Sequence, residues 1–138
     1  MLRRGFLKVI AWTLGGAGGA IADEPMRAGY TAHMTRAFEM KRRAVAAGDQ
    51  PYGAVVVKHG RIVGEGPSRV IVKRDWTAHA EREAMRDAQR RLGAADLAGC
   101  VLVSTSRPCA ACERAAFEAR IERMIHGEGL TDAGAPRG

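Results

Sequence analysis

His79-Ala80-Glu81 and Pro108-Cys109-Ala110-Ala111-Cys112 are the residues of this 138-residue chain whose types and spacing could do chemistry. One imidazole and two thiolates supply three ligands for Zn2+ and leave a fourth coordination position open, which separates a catalytic zinc site from a closed structural one. A carboxylate two residues from the imidazole adds a non-ligand acid/base. The chemistry this set supports is hydrolysis by an activated water. Each half alone is weak, since a Cys-x-x-Cys also serves as a redox pair, as half of a zinc knuckle, or as two core thiols on one helix.

Two distant segments must meet for this chemistry to occur. Thr77 to Leu92 predicts a helix with Ala80, Ala84, Met85 and Ala88 spaced for a buried face. His79 and Glu81 then fall in its first turn on different faces, so that the imidazole binds metal while the carboxylate approaches from the side. Cys100 to Thr105 predicts a buried strand, Ser106-Arg107-Pro108 a loop, and Cys109 to about Ile121 a second helix, whose N-terminus favours thiolates at Cys109 and Cys112. Upstream, a helix from about Met26 to Ala47 stops at Gly48-Asp49, and strands Tyr52 to Lys58 and Arg61 to Gly64 are joined by His59-Gly60. Arg123 to His126 predicts a last strand, and the Gly/Pro-rich stretch 131–138 a disordered tail. The order of elements implies helices packed on a mixed sheet. Cys100 reads as a small core hydrophobe, and His33 and His59 have no partner at ligand spacing.

A hydrophobic content of 46% with 27% charged residues is that of a globular chain, long enough for one domain. Arg3-Arg4-Gly5-Phe6-Leu7-Lys8, the apolar run that follows and Ala20-Ile21-Ala22 resemble a twin-arginine export signal with an A-x-A cleavage site. This divides the chain into a signal peptide (1–22), a catalytic domain (23–130) and the tail (131–138), and implies a periplasmic protein. Val9 to Ala22 falls short of the ~20 apolar residues that span a bilayer, so no stable membrane anchor is expected. The net charge is +7; without the three basic residues of 1–22, 19 basic residues face 15 acidic ones, a net +4. Lys41-Arg42-Arg43, Lys73-Arg74 and Arg90-Arg91 are short and lack interleaved aromatics, which suits solvated faces better than a nucleic-acid surface.

With Gly53-Ala54-Val55-Val56-Val57, Gly64-Glu65-Gly66 and Asp75-Trp76-Thr77-Ala78 leading to the His79/Glu81 pair, the chain resembles the cytidine/deoxycytidylate deaminase superfamily, in the branch of guanine deaminases and tRNA adenosine deaminases. The likeness covers roughly Tyr30 to Gly127. It implies a three-layer α/β/α fold with a mixed sheet, short at the C-terminus. It further implies zinc held by His79, Cys109 and Cys112, Glu81 as the catalytic proton carrier, and a nucleobase or nucleoside whose exocyclic amine is replaced by a carbonyl. Matching the family pattern places Ala54, Ser68 and the backbone of Ala80 in the base pocket. Three positions depart from that pattern: Ser68 where the branch usually has Asn, Arg107 where Glu commonly precedes Pro-Cys, and Trp76 where Pro is frequent. The further strand and terminal helices of the family are also expected to be missing, which leaves the pocket open or completed by a partner subunit in a homodimer. An inactive zinc protein, a tRNA adenosine deaminase-like enzyme and a Cys109–Cys112 dithiol protein stay open as alternatives.

Overall fold

Ala54-Val55-Val56-Val57 has no polar side chain on either alternation, the pattern of a strand covered on both faces. A computed structural model describes residues 20–138 and places this run inside a five-stranded sheet. The strands are β1 (Gly53–Lys58), β2 (Arg61–Pro67), β3 (Cys100–Ser104), β4 (Arg123–His126) and β5 (Thr131–Gly134), in the order β2-β1-β3-β4-β5. Only β3 and β4 run parallel; the other neighbours are antiparallel. His59 (φ 49°) and Gly60 (φ 73°) make the β1–β2 hairpin with both central residues left-handed, as a tight two-residue turn requires.

The alternation along β1 sorts the molecule into layers. Ala54 and Val56, with Leu102 and Met124, pack against α3 (Ala80–Leu92) and α4 (Ala110–Glu118) through Ala80, Ala84, Ala88 and Ala116. Val55 and Val57, with Val103 and Ile125, pack on the other face against Met34, Ala37 and Met40 of α1 (Ala20–Ala46). The fold is thus the expected three-layer α/β/α arrangement. A short helix, α2 (Val70–Lys73), lies between β2 and α3. Gly64 and Gly66 set the height of α3: a Cβ at Gly66 would run into the Ala80 carbonyl and the Ala84 backbone, and one at Gly64 into the Ala84 carbonyl and Ala88. With hydrogen at both positions, helix backbone rests directly on strand backbone.

Several boundaries differ from the sequence expectation. α1 starts earlier, at Ala20, and β2 runs on to Pro67, because its two glycines mark the contact with α3 rather than the end of a strand. α3 begins at Ala80 instead of Thr77, since Asp75 Oδ1 accepts from both the backbone N–H and the hydroxyl of Thr77 and holds 75–77 as a turn. The stretch 131–138, expected to be disordered, is corrected: Thr131–Gly134 pairs with β4 across a bulge, and the Arg137 N–H donates to Glu113 Oε1. Of the expected signal peptide, residues 1–19 lie outside the described residues, and Ala20-Ile21-Ala22 open α1. Among the described residues no helix is long and apolar enough to cross a membrane.

Candidate active site

His79 and Cys109 are the N-cap residues of α3 and α4, with extended backbone (φ −61°, ψ 152° and φ −68°, ψ 167°), and Cys112 lies in the first turn of α4. His79 therefore stands one step outside the helix rather than in its first turn as expected, with a side chain free to turn toward the neighbouring helix. The Nδ1 of His79 is 3.7 Å from Cys109 Sγ and 3.4 Å from Cys112 Sγ, and all three ligand atoms lie within 4.8 Å of one another. Tetrahedral zinc with ordinary bond lengths separates its nitrogen and sulfur ligands by about 3.6 Å, so these residues fit the ion. The donor chemistry agrees. Burial pushes the Cys112 thiol far above the ordinary thiol range, and a thiolate there needs a cation beside it.

Two buried carboxylates on α3 have opposite surroundings. Glu81, 6% exposed, has its Oε2 3.8 Å from Cys112 Sγ, and burial raises its pKa against the opposing influence of its own backbone N–H, His79 and Cys112. Glu83, 1% exposed, is also penalised by burial, but Lys73 (2.8 Å), Arg69 (3.0 Å) and Arg86 (2.9 Å) outweigh that and hold its pKa down. Carboxylates pushed apart in this way divide naturally into roles. Glu81 is the carboxyl that burial shifts toward holding a proton, whereas Glu83 is a fixed anion that anchors α2 and its flank to α3.

Of the expected base-pocket positions, Ala54 and Ala80 are wholly buried and face the α3 side of the core. Ser68 is 2% exposed, and its hydroxyl donates to Asp49 Oδ1 at 2.9 Å. The next residue, Arg69, donates its N–H to the carbonyl of Ala78, which ties this loop to the residue preceding His79. Sequence reasoning missed Asp49 and Glu83. Asp49 also accepts from Gln50 N, Ile71 N and Val72 N at 2.8–2.9 Å; burial opposes its ionisation, yet these donors hold its pKa below the ordinary value. The available signals were an acid just past a helix stop and an acid on the apolar side of α3.

The zinc-binding region described for cytidine and deoxycytidylate deaminases matches residues 29–128. This chain belongs to that family. The deaminase region is 40% identical over 101 residues to guanine deaminase of Bacillus subtilis, covering 72% of this chain and 65% of that protein. It is 40% identical over 89 residues to the tRNA-specific adenosine deaminase of Aquifex aeolicus, covering 64% and 59%. It is 45% identical over 103 residues to the tRNA(Ile)-lysidine synthase of Deinococcus deserti, covering 74% of this chain and 19% of that one. The chain thus spans less than two thirds of the length of these relatives. Among solved structures, B. subtilis guanine deaminase superposes with a TM-score of 0.67 at 38% identity, covering 70% of this chain and 62% of that one. A structure from work on A-to-I editing by tRNA:A34 deaminases superposes with a TM-score of 0.68 at 37% identity, covering 70% of each. The fold, the zinc-binding deaminase domain and the His79/Cys109/Cys112 site therefore agree with the family's description.

Proposed function

We propose that this deaminase domain hydrolyses the exocyclic amine of a nucleobase or nucleoside, releasing ammonia and leaving a ring carbonyl. The observation that carries the reading is Glu81, buried, without an ion pair to Lys or Arg among the described residues, and with its carboxylate 3.8 Å from Cys112 Sγ. Zinc held by His79, Cys109 and Cys112 would supply Lewis acidity, lowering the pKa of a water from 15.7 toward ~7. Glu81 accepts a proton from the attacking water and passes it to a ring nitrogen as the amine-bearing carbon becomes tetrahedral. It then protonates the departing amine, acting as base and acid in turn. Its raised pKa suits both directions of transfer. His79 donates from a helix end whose height is set by the contact between α3 and β2.

The guanine deaminase and tRNA adenosine deaminase likenesses point to substrates of two sizes. The small diffusible substrate is favoured by the Arg3-Arg4 motif, from which we infer export to the periplasm, away from tRNA. Replacing Arg3 and Arg4 with Lys should hold the protein in the cytoplasm; unchanged fractionation would remove that support. The test of activity is ammonia release by zinc-loaded protein from guanine, adenine, cytosine and their nucleosides, with Glu81→Gln in parallel. Release that depends on Glu81 is the expected result. Release unaffected by the substitution would overturn the role given to Glu81, and zinc-loaded protein inert on every compound would overturn the small-substrate reading.

A further inference from the structure

Of the two helices that meet at the metal site, α4 has far less of itself buried. Its nine residues bury Cys112 and Ala116, whereas the thirteen of α3 bury six. A helix this short is not stable alone, so its first turn, which holds both thiol ligands, must be held from outside. The far end has such a tie, the Leu97 N–H donating to the Ala119 carbonyl at 2.8 Å. At the ligand end the tie comes from the chain beyond β5. Ala133 of β5 packs against the apolar cluster that includes Ala116 of α4. The Gly134 N–H donates to Asp132 Oδ1 at 2.8 Å, and a φ of 73° at Gly134 turns the chain out of the strand. Pro136 is then buried, and the Arg137 N–H donates to Glu113 Oε1 at 3.0 Å, with Arg137 Nε 4.0 Å from the same oxygen. A Cβ at Gly138 would stand 2.7–3.1 Å from the Phe117 ring, so the backbone there lies against it. Glu113 and Phe117 are one turn apart on one face of α4, and the last residues of the chain lie along that face as a strap.

Glu113 connects this strap to the ligands. Its own N–H donates to the Cys109 carbonyl at 2.9 Å, closing the turn that begins at one thiol ligand and contains the other. Apart from the contacts among His79, Glu81 and the two cysteines, its bond to Arg137 is the one side-chain hydrogen bond that joins this turn to another element among the described residues. We propose that Glu113 is a positioning residue of the zinc site, whose carboxylate, gripped by the strap, holds the first turn of α4 where Cys109 and Cys112 reach the ion together with His79. A hydrogen bond at Glu113 and a ring contact one turn on resist rotation of α4 about its own axis, the motion that would part both thiols from His79. The inference concerns the metal site, so its readouts need no turnover and its failure is separate from that of the proposed substrate.

The test is titration of the full chain with zinc in competition with a chromophoric chelator, with the visible absorption of the cobalt(II)-loaded protein as a second readout of thiolate geometry. Glu113→Ala is expected to weaken zinc binding by about three- to tenfold, the worth of one hydrogen bond, and to alter the cobalt spectrum. Glu113→Gln keeps an acceptor oxygen and should restore both. Arg137→Pro deletes the donating N–H and should match Glu113→Ala, whereas Arg137→Ala keeps it and should behave as the parent. Glu113→Ala combined with Arg137→Pro should weaken zinc no further than either alone, because both break the same bond. Arg114→Ala, which removes the exposed neighbour paired to Glu118, should leave zinc binding unchanged. Circular dichroism shows that each variant is folded, and Arg137→Pro, at an exposed position after the last strand, carries the test if Glu113→Ala does not fold. Parent-like zinc affinity in a folded Glu113→Ala or Arg137→Pro chain would overturn the positioning role. So would losses that add, a Gln variant as weak as the Ala one, an equal loss in Arg114→Ala, or weakened zinc with an unaltered cobalt spectrum.

Discussion

Glu81 and Glu83 show how two identical side chains on one helix acquire opposite surroundings, the first pushed toward its protonated form by burial and the second held as an anion by three cations. Glu81→Gln removes the proposed proton carrier without touching a ligand, so turnover should fall by about 10²–10⁴-fold while zinc content stays unchanged, read from ammonia release and metal analysis of the same sample. Glu83→Gln should act on stability instead. It leaves Arg69, Lys73 and Arg86 without their shared partner, at a cost of about 1–3 kcal/mol in chemical denaturation, reduced because the three cations are themselves partly exposed. Cys112→Ala should lose zinc outright, as a metal titration would show. His79, Glu81, Cys109 and Cys112 were all legible as a motif because their chemistry depends on residue type and spacing. The role of Ser68 was less so. Its hydroxyl is engaged by Asp49, a residue 19 positions earlier that only the folded chain brings beside it.

At the scale of elements, the join between β2 and α3 governs where His79 stands. Gly66→Ala would force backbone apart along that contact and should cost about 1–3 kcal/mol, with reduced zinc affinity as a companion effect, measured by thermal unfolding and metal titration. Asp49 holds the start of α2 and should give stability a pH signature. Its folded carboxyl ionises below the ordinary value of 3.8, so its contribution is full above that pH and drains away as pH falls toward the depressed folded value. Asp49→Asn should therefore be less stable than the parent at pH 7, with the gap narrowing below about pH 4 in parallel melting curves. The hairpin turn, β1, β3 and the run of α3 were readable from alternation, helical spacing and His59-Gly60. α2 was not, because its four residues are held by a distant carboxylate rather than by their own pattern. β5 was hidden by its glycine and alanine; it is an edge strand fixed by backbone pairing and by the Asp132–Arg123 ion pair.

At the scale of the whole molecule, the two apolar clusters on either face of the sheet draw on residues from every layer. The fold therefore does not rest on the metal alone, unlike a zinc finger. Chelation should lower the unfolding temperature by several degrees and leave a single cooperative transition, visible by calorimetry with and without chelator. The layer architecture was legible because hydrophobic alternation is a property of whole strands, whereas the meeting of the two N-caps depends on how far α3 and α4 sit above the sheet. β1 carries a last consequence. Its neighbours pair with it on both sides, and Ala54 to Val57 are at most 3% exposed on either face. In deuterated water these amides are released only by opening most of the protein, so they should exchange last, and those of β5 at the rim among the first.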